Sequence, residues 1–166
     1  HAFEFASDKI GKYPYKEFYV VKAPISQSGM EFSNMVFVAE SCFADHFTLR
    51  RVAYHEVLHQ WFYGIIGTDQ LNEPFLDEGL VNYLAMLLAE SAFSGAYDKS
   101  LLDKHLNQYT TKQDYYKLAY SDSAQYFGEL HKKMGDNFYK LLQKVYNEKK
   151  FSILYFNDFL KYVNEF

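Results

Sequence analysis

Two periodicities divide the chain. Residues 17–22 and 35–39 are short runs rich in β-branched and aromatic side chains, separated by the breakers Pro24, Ser28 and Gly29, and they predict strands. From Thr48 the spacing lengthens: Val52, His55, Leu58, His59 and Phe62 recur every three or four residues, predicting a helix that runs to Gly64. Asn72 before Pro74 reads as a cap followed by a first-turn proline. Behind it Leu76, Leu80, Tyr83, Leu84, Leu87 and Leu88 give a second helix an apolar face to about Glu90. Residues 91–120 are more polar, with only a short helical pattern at 101–106. Three further helices are predicted at 122–134, ended by Gly135, from 136 or 137 to about 147, and at 156–163. The fold class is therefore α+β and mostly α, with a small sheet part at 1–46 and a helical part at 47–166.

Length and composition fit that picture. A chain of 166 residues suits one domain, and 49% hydrophobic against 23% charged residues is globular composition. The start at His1-Ala2-Phe3, without Met, suggests a piece excised from a longer multidomain protein. A formal charge of -4 with no Lys/Arg block excludes the electrostatic footprint of nucleic-acid binding. No apolar run reaches the ~18 residues of a membrane helix, so no membrane contact is evident. The single cysteine, Cys42, neither requires nor excludes an oxidising compartment, and localisation stays open.

The chemistry lies in His55-Glu56-Val57-Leu58-His59, an H-E-x-x-H run on a predicted helix. Four residues advance about 400°, which leaves the two imidazoles roughly 40° apart on one face, able to meet one ion. Catalytic zinc takes three protein ligands and keeps one position open. Glu78, in the second turn of the next helix within Leu-Asp-Glu-Gly-Leu, is the candidate third ligand, and the 64–73 connection is long enough for that helix to fold back. Glu56 sits about 100° around from His55, flanking the ion without ligating it. That is a general base's position for activating water against a carbonyl, and the reaction class is amide hydrolysis. Asn82 reads either as a group orienting a ligand histidine or as an exposed helix polar residue. Asp77 and Glu73 read as helix-start carboxylates, and His46, His105 and His131 have no ligand spacing.

With these residues in place, the sequence resembles the gluzincin metallopeptidases of the aminopeptidase N type, whose H-E-x-x-H is followed, eighteen residues on, by Glu. Gly11-Lys12-Tyr13-Pro14-Tyr15 is similar to that family's F-G-x-Y-P-Y, and Gly29-Met30-Glu31-Phe32 to its G-x-M-E-N or G-M-E-Y segment. The stretch from Tyr120 to Asp136 is similar to its Y-x-x-G-A segment, with Ser123-Ala124 in place of Gly-Ala. The resemblance implies a thermolysin-like catalytic domain over 1–166, one Zn2+ ion on His55, His59 and Glu78, and a peptide substrate. It implies that Tyr120 donates to the oxyanion, with Tyr115, Tyr116 and Tyr126 nearby. It further implies that Glu31 pairs with the substrate α-amine while the backbone of Gly29 and Met30 binds substrate main chain. Phe32 stands where Asn is frequent, and the plainer reading of Glu31 is a solvated strand-edge carboxylate. Missing domains of the same polypeptide would close over the cleft, which leaves apolar and aromatic surface exposed on this segment. The function expected is a zinc aminopeptidase; an endopeptidase of the same superfamily and a zinc-binding module without turnover are the alternatives.

Overall fold

The computed structural model describes residues 1–91, 108 and 111–166. The predicted pattern at 101–106, and His105, lie outside the described residues. The chain opens with a helix not marked by its residue pattern, α1 (Ala2–Lys9), ahead of the small sheet expected in residues 1–46. Its Ala2, Ala6 and neighbouring Ile10 are buried, while Phe3 and Phe5 pack at the edge of the same core. The short apolar positions pattern weakly, because tertiary packing rather than local amphipathicity holds this helix.

Three strands follow, β1 (Tyr19–Ala23), β2 (Gly29–Phe32) and β3 (Met35–Ala39), in the order β1-β3-β2. β1 runs parallel to β3, and β2 pairs antiparallel with it, Glu31 opposite Val36. β2 lies where the strand-edge reading of Glu31 puts an extended segment, and its pairing with β3 sets its bounds. It is an edge strand, so one side of its backbone is unpaired by any strand among the described residues.

The helix α2 (His46–Leu58) starts two residues earlier than expected, because Asp45 caps it by accepting from Phe47 N and Thr48 N. It also ends earlier. His59 is its C-cap, and residues 60–66 form a compact turn in which Tyr63 adopts φ 112° and Gly64 N–H donates to His59 O. Trp61, Phe62, Ile65 and Ile66 are all buried there, and the i, i+4 spacing that suggested more helix serves this turn equally well. A short strand, β4 (Gly67–Thr68), leads to α3 (Pro74–Leu88). Pro74 occupies the first turn as predicted, but Glu73 is the cap residue and Asn72 instead donates to Asp69 at 2.7 Å. Glu73 accepts from Phe156 N at 2.7 Å, which ties the start of α3 to the C-terminal helix.

The second half holds α4 (Lys112–Tyr116), a π-helical segment (Lys117–Asp122), α5 (Ser123–Met134), α6 (Asn137–Lys149), β5 (Ile153–Leu154) and α7 (Phe156–Val163). β5 pairs parallel with β4, a two-residue ladder within the helical part at 47–166. The core lies between α2, α3, α5 and α6, with Leu58, Leu80, Leu84, Phe127, Phe138 and Leu141 fully buried. Tyr19, Val20, Phe32, Phe43 and Phe47 are exposed on the sheet side. No helix among the described residues is long and apolar enough to cross a membrane.

Candidate metal centre

α2 delivers His55 and His59 from one face, and α3 lies against it with Glu78 facing them. His59 Nε2 is 3.1 Å from His55 Nε2, and Glu78 Oε2 lies 3.2 Å from His55 Nε2 and 3.3 Å from His59 Nε2. Ligands at about 2.0–2.1 Å from a tetrahedral ion sit about 3.3–3.4 Å from each other, so this triangle has the size zinc requires. The donor chemistry agrees. His59 Nδ1 faces the Phe62 carbonyl at 3.1 Å, and a carbonyl only accepts, so Nδ1 carries the hydrogen and Nε2 offers its lone pair to the cluster. Three electron-pair donors meeting at one point call for a cation, and the three residues form a group able to hold one.

The electrostatics of the bare site respond to the same crowding. Burial would lower the proton affinity of His59, but the Glu78 carboxylate overrides it and raises the imidazole to about 10. Burial likewise works against ionised Glu78, yet the two histidines win and hold its carboxyl far below the usual range. Burial lowers His55, with Glu78 opposing.

Glu56 is 5% exposed and sits beside the cluster, with its Oε2 lacking any hydrogen-bond partner among the described residues. Burial pushes its carboxyl up to about 8; His59 opposes the rise and the carboxylates of Glu31 and Glu78 add to it. Gly29 explains how β2 comes so close. A Cβ there would lie 2.1 Å from Glu56 Oε1, so glycine lets the strand pass over this carboxylate without displacing it. Because strand side chains alternate, Glu31 shares the face of Gly29 and points toward α2, while Met30 and Phe32 take the other face. No hydrogen bond or ion pair engages the Glu31 carboxylate among the described residues, and its field reaches His55, Glu56, His59 and Tyr120.

Tyr120 reaches the cluster from the π segment. Its hydroxyl donates to Glu78 Oε1 at 2.7 Å and its ring stacks beside His55 with centroids 5.9 Å apart. Burial and the Glu78 carboxylate keep this hydroxyl well above the usual tyrosine range, so it remains a donor. Tyr115 and Tyr116 pack on the Tyr120 ring, at 6.1 and 5.6 Å. Asn82 fits neither reading made of it, since its amide donates to the Tyr120 carbonyl at 2.9 Å. Asp77 is fully buried instead of simply favouring a helix start: it accepts from Thr68 Oγ1, Gln70 Nε2 and Glu78 N, and burial pushes it up to about 6.

Gln60 escaped the sequence reading. It is 1% exposed, its Oε1 accepts from Asn34 N at 2.8 Å and from Tyr13 OH at 3.3 Å, and its Nε2 donates to Phe32 O at 2.9 Å. It thus clamps the β2–β3 turn to the end of α2; an amide within a run of buried positions was the available signal. Gln60→Leu is expected to lose about 1–3 kcal/mol from groups left unpaired. The urea midpoint reads that loss, and faster amide exchange confined to residues 29–34 separates clamp loss from general unfolding.

The peptidase family M1 domain matches residues 1–166, and the chain belongs to that family. No curated protein matches the sequence. Among solved structures, the M1 zinc metallopeptidase from Deinococcus radiodurans is similar at 20% identity and a TM-score of 0.76, over 99% of this chain and 39% of that one. A mutant of the M1 zinc metallopeptidase from the same organism gives a TM-score of 0.77 at 20% identity and the same coverage. A mutant bound to Tyr-Ser-Ala substrate gives 0.75 at 20% identity, again over 99% of this chain and 39% of that one. The chain therefore spans 39% of the length of these structures. Family membership together with the His55, His59 and Glu78 group makes the cofactor of this site one Zn2+ ion.

Proposed function

We propose that residues 1–166 are the catalytic domain of a zinc aminopeptidase that removes N-terminal residues from peptides, within a protein carrying further domains. The observation that carries this reading is the face of β2: glycine at position 29 brings the strand onto Glu56, and Glu31 on the same face directs an unpaired carboxylate toward the metal group. His55, His59 and Glu78 hold the ion. Zinc bound there supplies a Lewis acid that polarises a carbonyl and lowers the pKa of water to about 7.

The protein's own residues do the rest. A peptide enters along the unpaired edge of β2, where the backbone of Gly29 and Met30 binds its main chain as an added strand would. The Glu31 carboxylate pairs with the substrate ammonium and sets the cut one residue from the terminus. Glu56 Oε2 takes a proton from the attacking water and passes it to the departing amine nitrogen, which balances the hydrolysis. The Tyr120 hydroxyl donates to the oxyanion as the carbonyl becomes tetrahedral. The peptide-bound structure from Deinococcus radiodurans supports a peptide as the substrate class.

Hydrolysis of aminoacyl anilides, compared with their N-acetylated forms, tests the amine anchor. Glu31→Gln is expected to raise KM about 10- to 100-fold, the worth of a charge-assisted hydrogen bond, with acetylated substrates essentially uncut. Equal cleavage of free and acetylated substrates would reject the aminopeptidase reading in favour of an endopeptidase.

A further inference from the structure

The helix that carries Tyr120 changes its winding at that residue. Between α4 and α5 the segment Lys117–Asp122 is π-helical, and Ser123 N–H donates to the Leu118 carbonyl five residues back. Such segments are rare inside α-helices and are frequent at functional sites.

Three side-chain contacts hold this one. Lys117 Nζ meets Asp122 Oδ2 at 2.5 Å, Asn82 Nδ2 donates to the Tyr120 carbonyl at 2.9 Å, and Ser123 Oγ donates to the Ala119 carbonyl at 2.5 Å. The ion pair is specific to the winding. In an α-helix residues five apart lie about 140° from each other around the axis, on different faces. The i→i+5 pattern of a π turn instead brings the second residue back over the first. Asp122 is the buried partner, with its side chain 7% exposed against 61% for Lys117. Removing the lysine would therefore strand a buried carboxylate, a larger loss than an exposed pair could cause.

α3 grips the same tyrosine at both ends. Glu78 accepts from its hydroxyl and Asn82, one turn later, donates to its carbonyl. Gly79, between them, lets the helices touch: a Cβ there would lie 2.3 Å from Ser123 Cβ and Oγ. Were the segment to relax to α-helical winding, removal of the extra residue would rotate Tyr120 by about 100° relative to α5 and carry its hydroxyl away from Glu78.

We infer that the Lys117–Asp122 ion pair and the Asn82 amide are positioning groups for Tyr120, holding the π segment that aims its hydroxyl into the metal site. The inference rests on the reading of Tyr120 as the oxyanion donor. Lys117→Met tests it, with Lys117→Arg as the conservative control and Tyr120→Phe as the partner in a double-mutant cycle. In Lys117→Met, amide exchange over residues 117–123 is expected to accelerate about tenfold in both metal-free and zinc-loaded protein, while α2 is unchanged and the arginine variant stays near wild type. On an aminoacyl anilide, kcat is expected to fall about tenfold at unchanged KM and zinc content. In the Tyr120→Phe background the same substitution should cost less than about twofold, because the hydroxyl it positions is gone. If Tyr120→Phe alone leaves kcat intact, the oxyanion reading fails, and the exchange result still decides whether the ion pair holds the π segment. Unchanged exchange in Lys117→Met, or a loss that adds in full to that of Tyr120→Phe, overturns the inference.

Discussion

Replacing Glu56 by glutamine is expected to lower turnover by about 100- to 10,000-fold while zinc stays bound. The reason is local to one atom. Oε2 of Glu56 is buried beside the metal group without a hydrogen-bond partner among the described residues, and the amide that replaces the carboxylate cannot take a proton from water. The two side chains have nearly the same shape, so Gly29 and β2 keep their contact with position 56. Burial holds the metal-free Glu56 carboxyl up at about 8, a shift that costs stability near neutral pH, so a permanently neutral amide there should leave the metal-free variant at least as resistant to urea as the wild type. Zinc content after dialysis, anilide hydrolysis and a urea titration together check this. Undiminished turnover with zinc in place would remove the catalytic reading and leave a metal-binding module.

Glu78→Gln should act on the ion itself. His59 binds as a neutral imidazole, its hydrogen committed to Phe62 O, and with His55 neutral as well the carboxylate is the one anionic ligand offered to a divalent cation. Even substitutions outside the ligand shell typically cost 10- to 100-fold in metal affinity, so loss of the anionic ligand is expected to exceed about 100-fold. Two readouts are independent of turnover. Zinc per chain should fall well below one after dialysis, and the rise in melting temperature that zinc gives the wild type should vanish, since that rise follows ligand affinity. A variant that keeps a full equivalent of zinc and an unchanged melting shift would place the ion elsewhere.

Much of this site is legible in the sequence. His55, Glu56 and His59 are four residues apart or fewer, and helical geometry alone puts the imidazoles on one face. Glu78 was legible at longer range because Pro74 announced its helix and the intervening connection was long enough for a return. The Gln60 clamp, the π winding at Tyr120 and the donation from Asn82 were not. Each links a side chain to a backbone group or turn that local periodicity does not mark, as in the span from Asn34 to Gln60 or from Asn82 to Tyr120. The short helix α1 was missed for a similar reason, its stability coming from the core it covers.

What the sequence by itself determined is the identity of the donors and the faces of the helices that bear them, because a continuous helix has a fixed angle per residue and needs no partner to define it. The tertiary structure alone decided how close those faces come. Glycine at positions 29 and 79 permits contacts that a Cβ would have to displace, and the distances among His55, His59 and Glu78 follow from the packing of α2 on α3. That packing is a property of whole surfaces meeting, with shape and burial summed over residues distant in the chain, so no local pattern contains it.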